Sequence, residues 1–140
     1  MYEPNGTVDH FRSVHANEAL AYEWKNYRYL TGWINSSKNK RPAVLDAFQV
    51  KAGWFEVLLP SLQLVAIKSS IPQKHHALVE RTLNDLHLRD DERILRQRRE
   101  WLRMYEVGEI TLDGLRKKAP LIAAAVEKRD SKLAKTSASP

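Results

Sequence analysis

Cysteine is absent from all 140 residues, which excludes disulfides and every thiolate-held zinc or iron–sulfur site. Also missing is any apolar run near the roughly 18 residues needed to cross a bilayer, so no transmembrane helix is expected. The opening residues Met1-Tyr2-Glu3-Pro4-Asn5-Gly6 lack the basic start and apolar stretch of a secretory leader. These absences fit a cytoplasmic location. No internal repeat interrupts the chain.

Hydrophobic residues make up 43% and charged residues 29%, the balance of an ordinary globular protein of one domain, or of a small domain with an extension. Lysine and arginine outnumber aspartate and glutamate by 23 to 17, giving a formal charge of +6. That excess favours polyanionic partners, because bound cations release counterions from nucleic acid. Part of it is carried by Lys128, Arg129, Lys132 and Lys135, which stand among serine and alanine near the C-terminus.

The pattern along the chain is α+β. Thr7-Val8-Asp9-His10-Phe11 reads as a short strand, and Trp24-Lys25-Asn26-Tyr27-Arg28-Tyr29 alternates large aromatic with polar residues at a period of two. Gly32 to Lys40 can form a short helix that Pro42 ends. The runs from Trp54 to Leu59 and from Leu62 to Ile67, with Pro60-Ser61 between them, predict a β-hairpin. Pro72 opens a helical half. One helix is expected over 73–87, with Leu78, Val79, Leu83 and Leu86 on one face. A stronger one is expected over 90–106, carrying Ile94, Leu95, Trp101, Leu102 and Tyr105, opened by Asp90, Asp91 and Glu92 and stopped at Gly108. A third region, 111–129, is interrupted at Pro120, which either kinks it or begins a new helix. The low hydrophobicity of residues 130–140 suggests a disordered tail. The organisation expected is 1–70, 71–129 as a helical extension, and 130–140.

Candidate chemistry gathers between residues 9 and 41. Phosphodiester cleavage needs a base for water, a divalent cation against phosphate charge, and a frame for both. Histidine suits the first role because its unperturbed pKa lies near neutrality. Carboxylate and amide oxygens suit the second, being hard ligands for Mg²⁺, which keeps several waters and needs few protein oxygens. Asp9, His10, Asn26 and Asn35 supply such a set.

Val8-Asp9-His10-Phe11, Trp24-Lys25-Asn26-Tyr27-Arg28 and Asn35-Ser36-Ser37-Lys38 occur in that order. Fifteen residues separate His10 from Asn26, and eight separate Asn26 from Asn35. In this the chain resembles the HNH endonucleases, the ββα-metal nuclease family. The phrase from Glu18 to Arg28 is similar to a bacterial subgroup found beside ATPases in anti-phage systems. The resemblance implies a small ββα core, here followed by a β-hairpin and a C-terminal helical extension, and a DNA endonuclease using one divalent cation, Mg²⁺ or Mn²⁺. It implies that Asp9 and Asn35 bind the metal, that His10 is the general base, and that Asn26 braces the segment that aims His10. Arg28, Lys38, Lys40 and Arg41 would meet phosphates. DNA, and a partner ATPase, are the partners implied. The chain departs from the family pattern in having Thr31 and Ile34 where relatives often carry a zinc-binding cysteine pair, and Ser13-Val14 where they often carry Pro-Lys. No structural zinc is therefore expected, and a catalytically inactive relative that binds nucleic acid or a partner protein is the alternative.

Other features carry two readings each. The aromatic group Tyr22, Trp24, Tyr27, Tyr29 and Trp33 can stack on bases or form core. Arg93, Arg96, Arg98, Arg99 and Arg103 can track a DNA backbone, or form a solvated face paired with Glu100 and Glu106. His15, His75, His76 and His87 have no metal-site spacing.

Overall fold

The computed structural model describes residues 44–138 in full, together with the backbone of two strands, Gly6–His10 and Tyr27–Thr31. The architecture is α+β: two separate two-stranded antiparallel sheets and four α-helices among the described residues. No helix among the described residues is long and apolar enough to cross a membrane.

The chain forms two compact units. One joins residues 1–50 to 74–87, and the other joins 51–73 to 88–140. Sequence order suggests a boundary near residue 70, with the hairpin on the N-terminal side. Instead the hairpin belongs with the later helices, and the first helix belongs with the N-terminal segment. Hydrogen bonds within each unit explain the division.

In the first unit, β1 (Gly6–His10) pairs antiparallel with β2 (Tyr27–Thr31). β-branched Thr7 and Val8 and aromatic Tyr27 and Tyr29 favour the extended backbone. β2 lies toward the C-terminal side of the aromatic alternation that predicts it; the rest of that run, residues 24–26, lies outside the described residues. So does the helix expected over 32–40. Further on, the Asp46 carboxylate accepts the Phe48 N–H at 3.0 Å and opens a 3₁₀ turn, Ala47–Gln49.

Helix α1 (Gln73–Asp85) begins directly after Pro72, as expected. Val79, Thr82, Leu83 and Leu86 are buried at spacings of three and four, the period of one helix face. Thr82 takes a place in this row that the sequence reading leaves to hydrophobic residues alone, and Leu78 is only half-buried. The reason is polar. The Thr82 hydroxyl donates to the Leu78 carbonyl at 2.8 Å and accepts the Leu45 N–H at 2.8 Å. It thus satisfies a backbone donor beside the buried Val44 and Leu45.

In the second unit, Gly53 stands at the third position of a turn closed by the Trp54 N–H on the Lys51 carbonyl at 3.2 Å. Its φ of +85° is one that glycine adopts without steric cost. The hairpin follows. β3 (Phe55–Val57) pairs with β4 (Leu64–Ala66), Glu56 opposite Val65. Both strands are shorter than the apolar runs that predict them, because the turn takes up residues 58–63. Leu58 and Gln63 bond across its base, and Leu62 adopts a φ of +63°.

The helices that follow obey their end signals. Asp91 caps α2 (Glu92–Glu106) by accepting the Arg93 N–H at 2.9 Å. The helix stops in a Schellman arrangement. Gly108, at φ +80°, donates to the Tyr105 carbonyl, and Glu109 donates to the Met104 carbonyl. Thr111 caps α3 (Leu112–Lys118) through the Gly114 N–H at 3.1 Å. Pro120 begins a new helix rather than kinking an old one: Ala119 is held at φ −143°, outside the helical region, and proline takes the first position of α4 (Pro120–Ala138).

Trp101, Leu115, Ile122, Ala123 and Val126 are buried together, with Leu59, Leu102, Tyr105, Ile110 and Leu112 packed around them. Leu115 and Val126 have no exposed surface at all. Here α4 departs from expectation, for it runs through the region read as a disordered tail, as far as Ala138. Residues 131–138 are all exposed, so burial does not hold them helical. Propagation does. Once the buried turns of α4 are formed, each added residue escapes the cost of nucleation, and alanine, lysine and leucine are good helix formers.

Thr82→Val keeps the shape of the side chain but strands the Leu45 N–H. Urea unfolding is expected to show a loss of about 1 to 3 kcal/mol, whereas Thr82→Ser, which keeps the hydroxyl, loses less.

Candidate metal and nucleic-acid site

Three of the eight residues singled out from sequence lie on the β1–β2 pair. Asp9 and His10 are the last two residues of β1, and Arg28 is the second residue of β2. The antiparallel register sets Asp9 opposite Arg28 and His10 opposite Tyr27. An acidic and a basic residue thus hold facing positions. Asn26 directly precedes Tyr27 in the chain. Asn26, Asn35, Lys38, Lys40 and Arg41 lie outside the described residues.

Asp9 offers a carboxylate and Asn35 an amide oxygen, both suited to Mg²⁺ or Mn²⁺, and no thiolate competes for a softer metal. Among the described residues, no group of three or more histidine, cysteine, aspartate and glutamate side chains could hold a metal ion.

The arginine-rich helix α2 resolves into distinct roles. Arg98 points inward. Its guanidinium donates to the carbonyls of Leu62 at 2.8 Å, Arg89 at 3.1 Å and Leu88 at 2.7 Å. Burial lowers its pKa, and three neutral acceptors hold the cation in place. This residue is a structural clamp, unavailable to a DNA backbone. Arg93 pairs with Asp91 at 3.0 Å, and Arg99 with Glu92 at 3.5 Å. Arg103 forks between Glu100 at 2.7 Å and Glu109 at 3.1 Å, and these hydrogen bonds raise its pKa further. Of the acidic partners expected from sequence, Glu100 is engaged with this helix's arginines. Glu106 instead bonds Arg129 of α4 at 2.9 Å. The face is therefore largely neutralised by its own acids.

Sequence reading passes over a cleft in the same unit, of about 590 Å³. Val57, Leu59, Pro60, Leu102 and Ala125 contribute apolar surface to it, and Lys128, Arg129 and Lys132 of α4 contribute cations. The Lys128 ammonium bonds Glu56 at 2.9 Å. The signal for this surface is the spacing of Lys128 and Lys132, four residues apart, which is that of one helix face. It carries no meaning while the segment is read as a disordered tail. Comparison with known proteins adds nothing to these observations, since no family model, curated protein or solved structure matches the chain.

Two outcomes test this division of roles. Arg98→Lys retains charge but cannot reach three carbonyls with one ammonium, and a loss of about 2 to 4 kcal/mol is expected in denaturant unfolding. The hydrogen bond from Arg103 holds the Glu100 carboxyl below the usual carboxylate range, against a smaller opposing effect of desolvation. A depressed carboxyl stabilises the fold above its unfolded pKa and loses that contribution as pH falls through its folded pKa. The stability difference between the wild type and Glu100→Gln, followed by thermal unfolding, should therefore be present at neutral pH and vanish in acid below the ordinary carboxylate range.

Proposed function

We propose that the chain is a metal-dependent endonuclease of the HNH type, hydrolysing DNA phosphodiester bonds. The observation that carries this reading is the β1–β2 pairing. The Asp9-His10 pair ends one strand, and Asn26 immediately precedes its antiparallel partner. A two-stranded ribbon with those residues at those ends is what a ββα-metal core requires of its first two elements.

In this reading His10 takes the proton from a water molecule as that water attacks the phosphorus, a role suited to an imidazole titrating near neutrality. Asn26 fixes the segment that orients His10. Asp9 and Asn35 hold the cation by their oxygens. A bound divalent cation would offset phosphate charge and stabilise the departing oxygen. Arg28, Lys38, Lys40 and Arg41 engage phosphates and set the strand in register without reading bases.

Purified protein incubated with supercoiled plasmid and Mg²⁺ or Mn²⁺ is expected to nick it, and EDTA to stop the reaction. His10→Ala should reduce the rate by about 100-fold or more, and Asn35→Ala should raise the metal concentration needed. Nicking by His10→Ala at the wild-type rate would overturn the assignment. Salt-sensitive DNA binding without any metal-dependent cleavage would favour the second reading, a non-catalytic relative. The concentration of positive charge in the second unit, away from the His10 segment in sequence, is what keeps that reading in view: it holds fifteen lysines and arginines against ten acids, or +5 of the chain's +6.

A further inference from the structure

The cleft of the second unit has an apolar lining fixed by the core and a charged lining of one net sign. Val57, Leu59, Leu102 and Ala125 contribute its covered surface. Val57 and Ala125 are buried, and Leu59 and Leu102 pack against the cluster around Trp101 and Leu115. The shape they present is therefore set before any ligand arrives. Leu58, 38% exposed, extends the apolar surface toward water. The volume of about 590 Å³ is that of a small-molecule site. Among the charged residues, Lys128, Arg129 and Lys132 line the cleft against Glu56 and Glu106. Both acids are bonded already, Glu56 to Lys128 and Glu106 to Arg129, each at 2.9 Å. Those pairs cancel. The charge left over is the exposed Lys132 ammonium, one helical turn beyond Lys128.

We infer that this cleft binds a fatty carboxylate, with the hydrocarbon chain against Leu58, Leu59 and Leu102 and the carboxylate at Lys132. The two parts of the lining select the ligand together. An inorganic anion would leave the apolar surface in water and gain little from one exposed ammonium. A neutral hydrocarbon would cover that surface but leave the charge at its edge unanswered. A cation would meet Lys132 and two carboxylates that already have partners. Nucleic acid backbone presents phosphate and sugar, with no hydrocarbon to place against Leu58. A fatty carboxylate covers the apolar lining and accepts a charge-assisted hydrogen bond from the ammonium. The chain supplies affinity, and the headgroup decides the sign. The inference does not rest on the nuclease reading, because every residue named in the cleft belongs to the second unit, whereas Asp9, His10 and Arg28 belong to the first.

The test is a two-dimensional ¹H–¹⁵N NMR titration of the full-length chain, with every ligand kept below its micelle-forming concentration. Octanoate, 1-octanol and octyltrimethylammonium share a chain and differ in charge; decanoate lengthens the chain. Octanoate is expected to bind about three-fold or more tighter than either of the other two, shifting the amides of Leu58, Leu59, Leu102 and Lys132. Decanoate should bind about three- to ten-fold tighter than octanoate, since a fully buried methylene adds about four-fold and this cleft is open on one side. Lys132→Gln should weaken octanoate about three-fold or more and leave 1-octanol unchanged. Leu58→Glu, which sets a carboxylate among the apolar residues, should weaken octanoate about ten-fold or more, while Leu58→Met retains binding. Both positions are exposed, and unshifted amides elsewhere in the spectrum confirm that each variant is folded. No saturable shift, equal binding of the three octyl ligands, shifts centred outside the cleft, or octanoate binding indifferent to Leu58→Glu would each overturn the inference. Acetate giving the same shifts at the same concentration would also overturn it, reducing the cleft to a simple anion site.

Discussion

The second unit depends on one half-buried cation that serves three backbone acceptors at once. Three carbonyls, of Leu62 in the hairpin turn and of Leu88 and Arg89 ahead of α2, converge on the Arg98 guanidinium. The Arg89 carbonyl also accepts the Leu64 N–H at 3.1 Å, so a single residue of irregular chain is bonded to both the hairpin and the helix. A buried carbonyl without a donor costs more than a typical hydrogen bond returns. Segments of irregular backbone can therefore pack between β4 and α2 only if something supplies several donors from one point. The planar fork of arginine does so, and no other side chain has its reach and number of N–H groups. This explains why a hairpin of two three-residue strands holds its place beside the helices. By themselves, such strands are marginal.

Where the sequence is legible, the signal is local and steric. Asp91 before α2, Gly108 after it, and Pro120 between α3 and α4 each act on their own backbone, through a cap, a left-handed residue and a missing donor. Those effects survive without knowledge of the fold. Thr82 and Arg98 are opaque for the opposite reason. Their partners, Leu45 and Leu62, lie 37 and 36 residues away, so no window along the chain reveals that a threonine belongs to a buried face or that one arginine among five turns inward. The tail of α4 fails in a third way. Its composition is that of a disordered segment, yet its conformation is inherited from the buried turns before it, which composition does not register.

The candidate site divides along the same line. The strand character of residues 6–10 and 27–31 follows from branched and aromatic side chains, and pairing then brings Asp9 and Arg28 to facing positions. Nothing in the spacing of those residues, nineteen positions apart with both polar, announces that relation. Register is a property of two segments at once. It is fixed by which residues on each must be covered, and a shift of one would exchange every side chain between the faces.

Charge illustrates how far a count is from a surface. A formal +6 does not say which cations are paired, and most arginines of the second unit are. On α4 the acids Glu127 and Asp130 bond arginines, and the lysines recur at the period of one face. In a disordered segment the same three lysines would sample many separations and pay an ordering cost on meeting any rigid polyanion. Fixed to a helix whose first turns are anchored by Ile122 and Val126, they have already met part of that cost in folding. The aliphatic burial at one end of α4 thus bears on the electrostatics at the other, because the exposed turns hold their lysines on one face only while the helix persists.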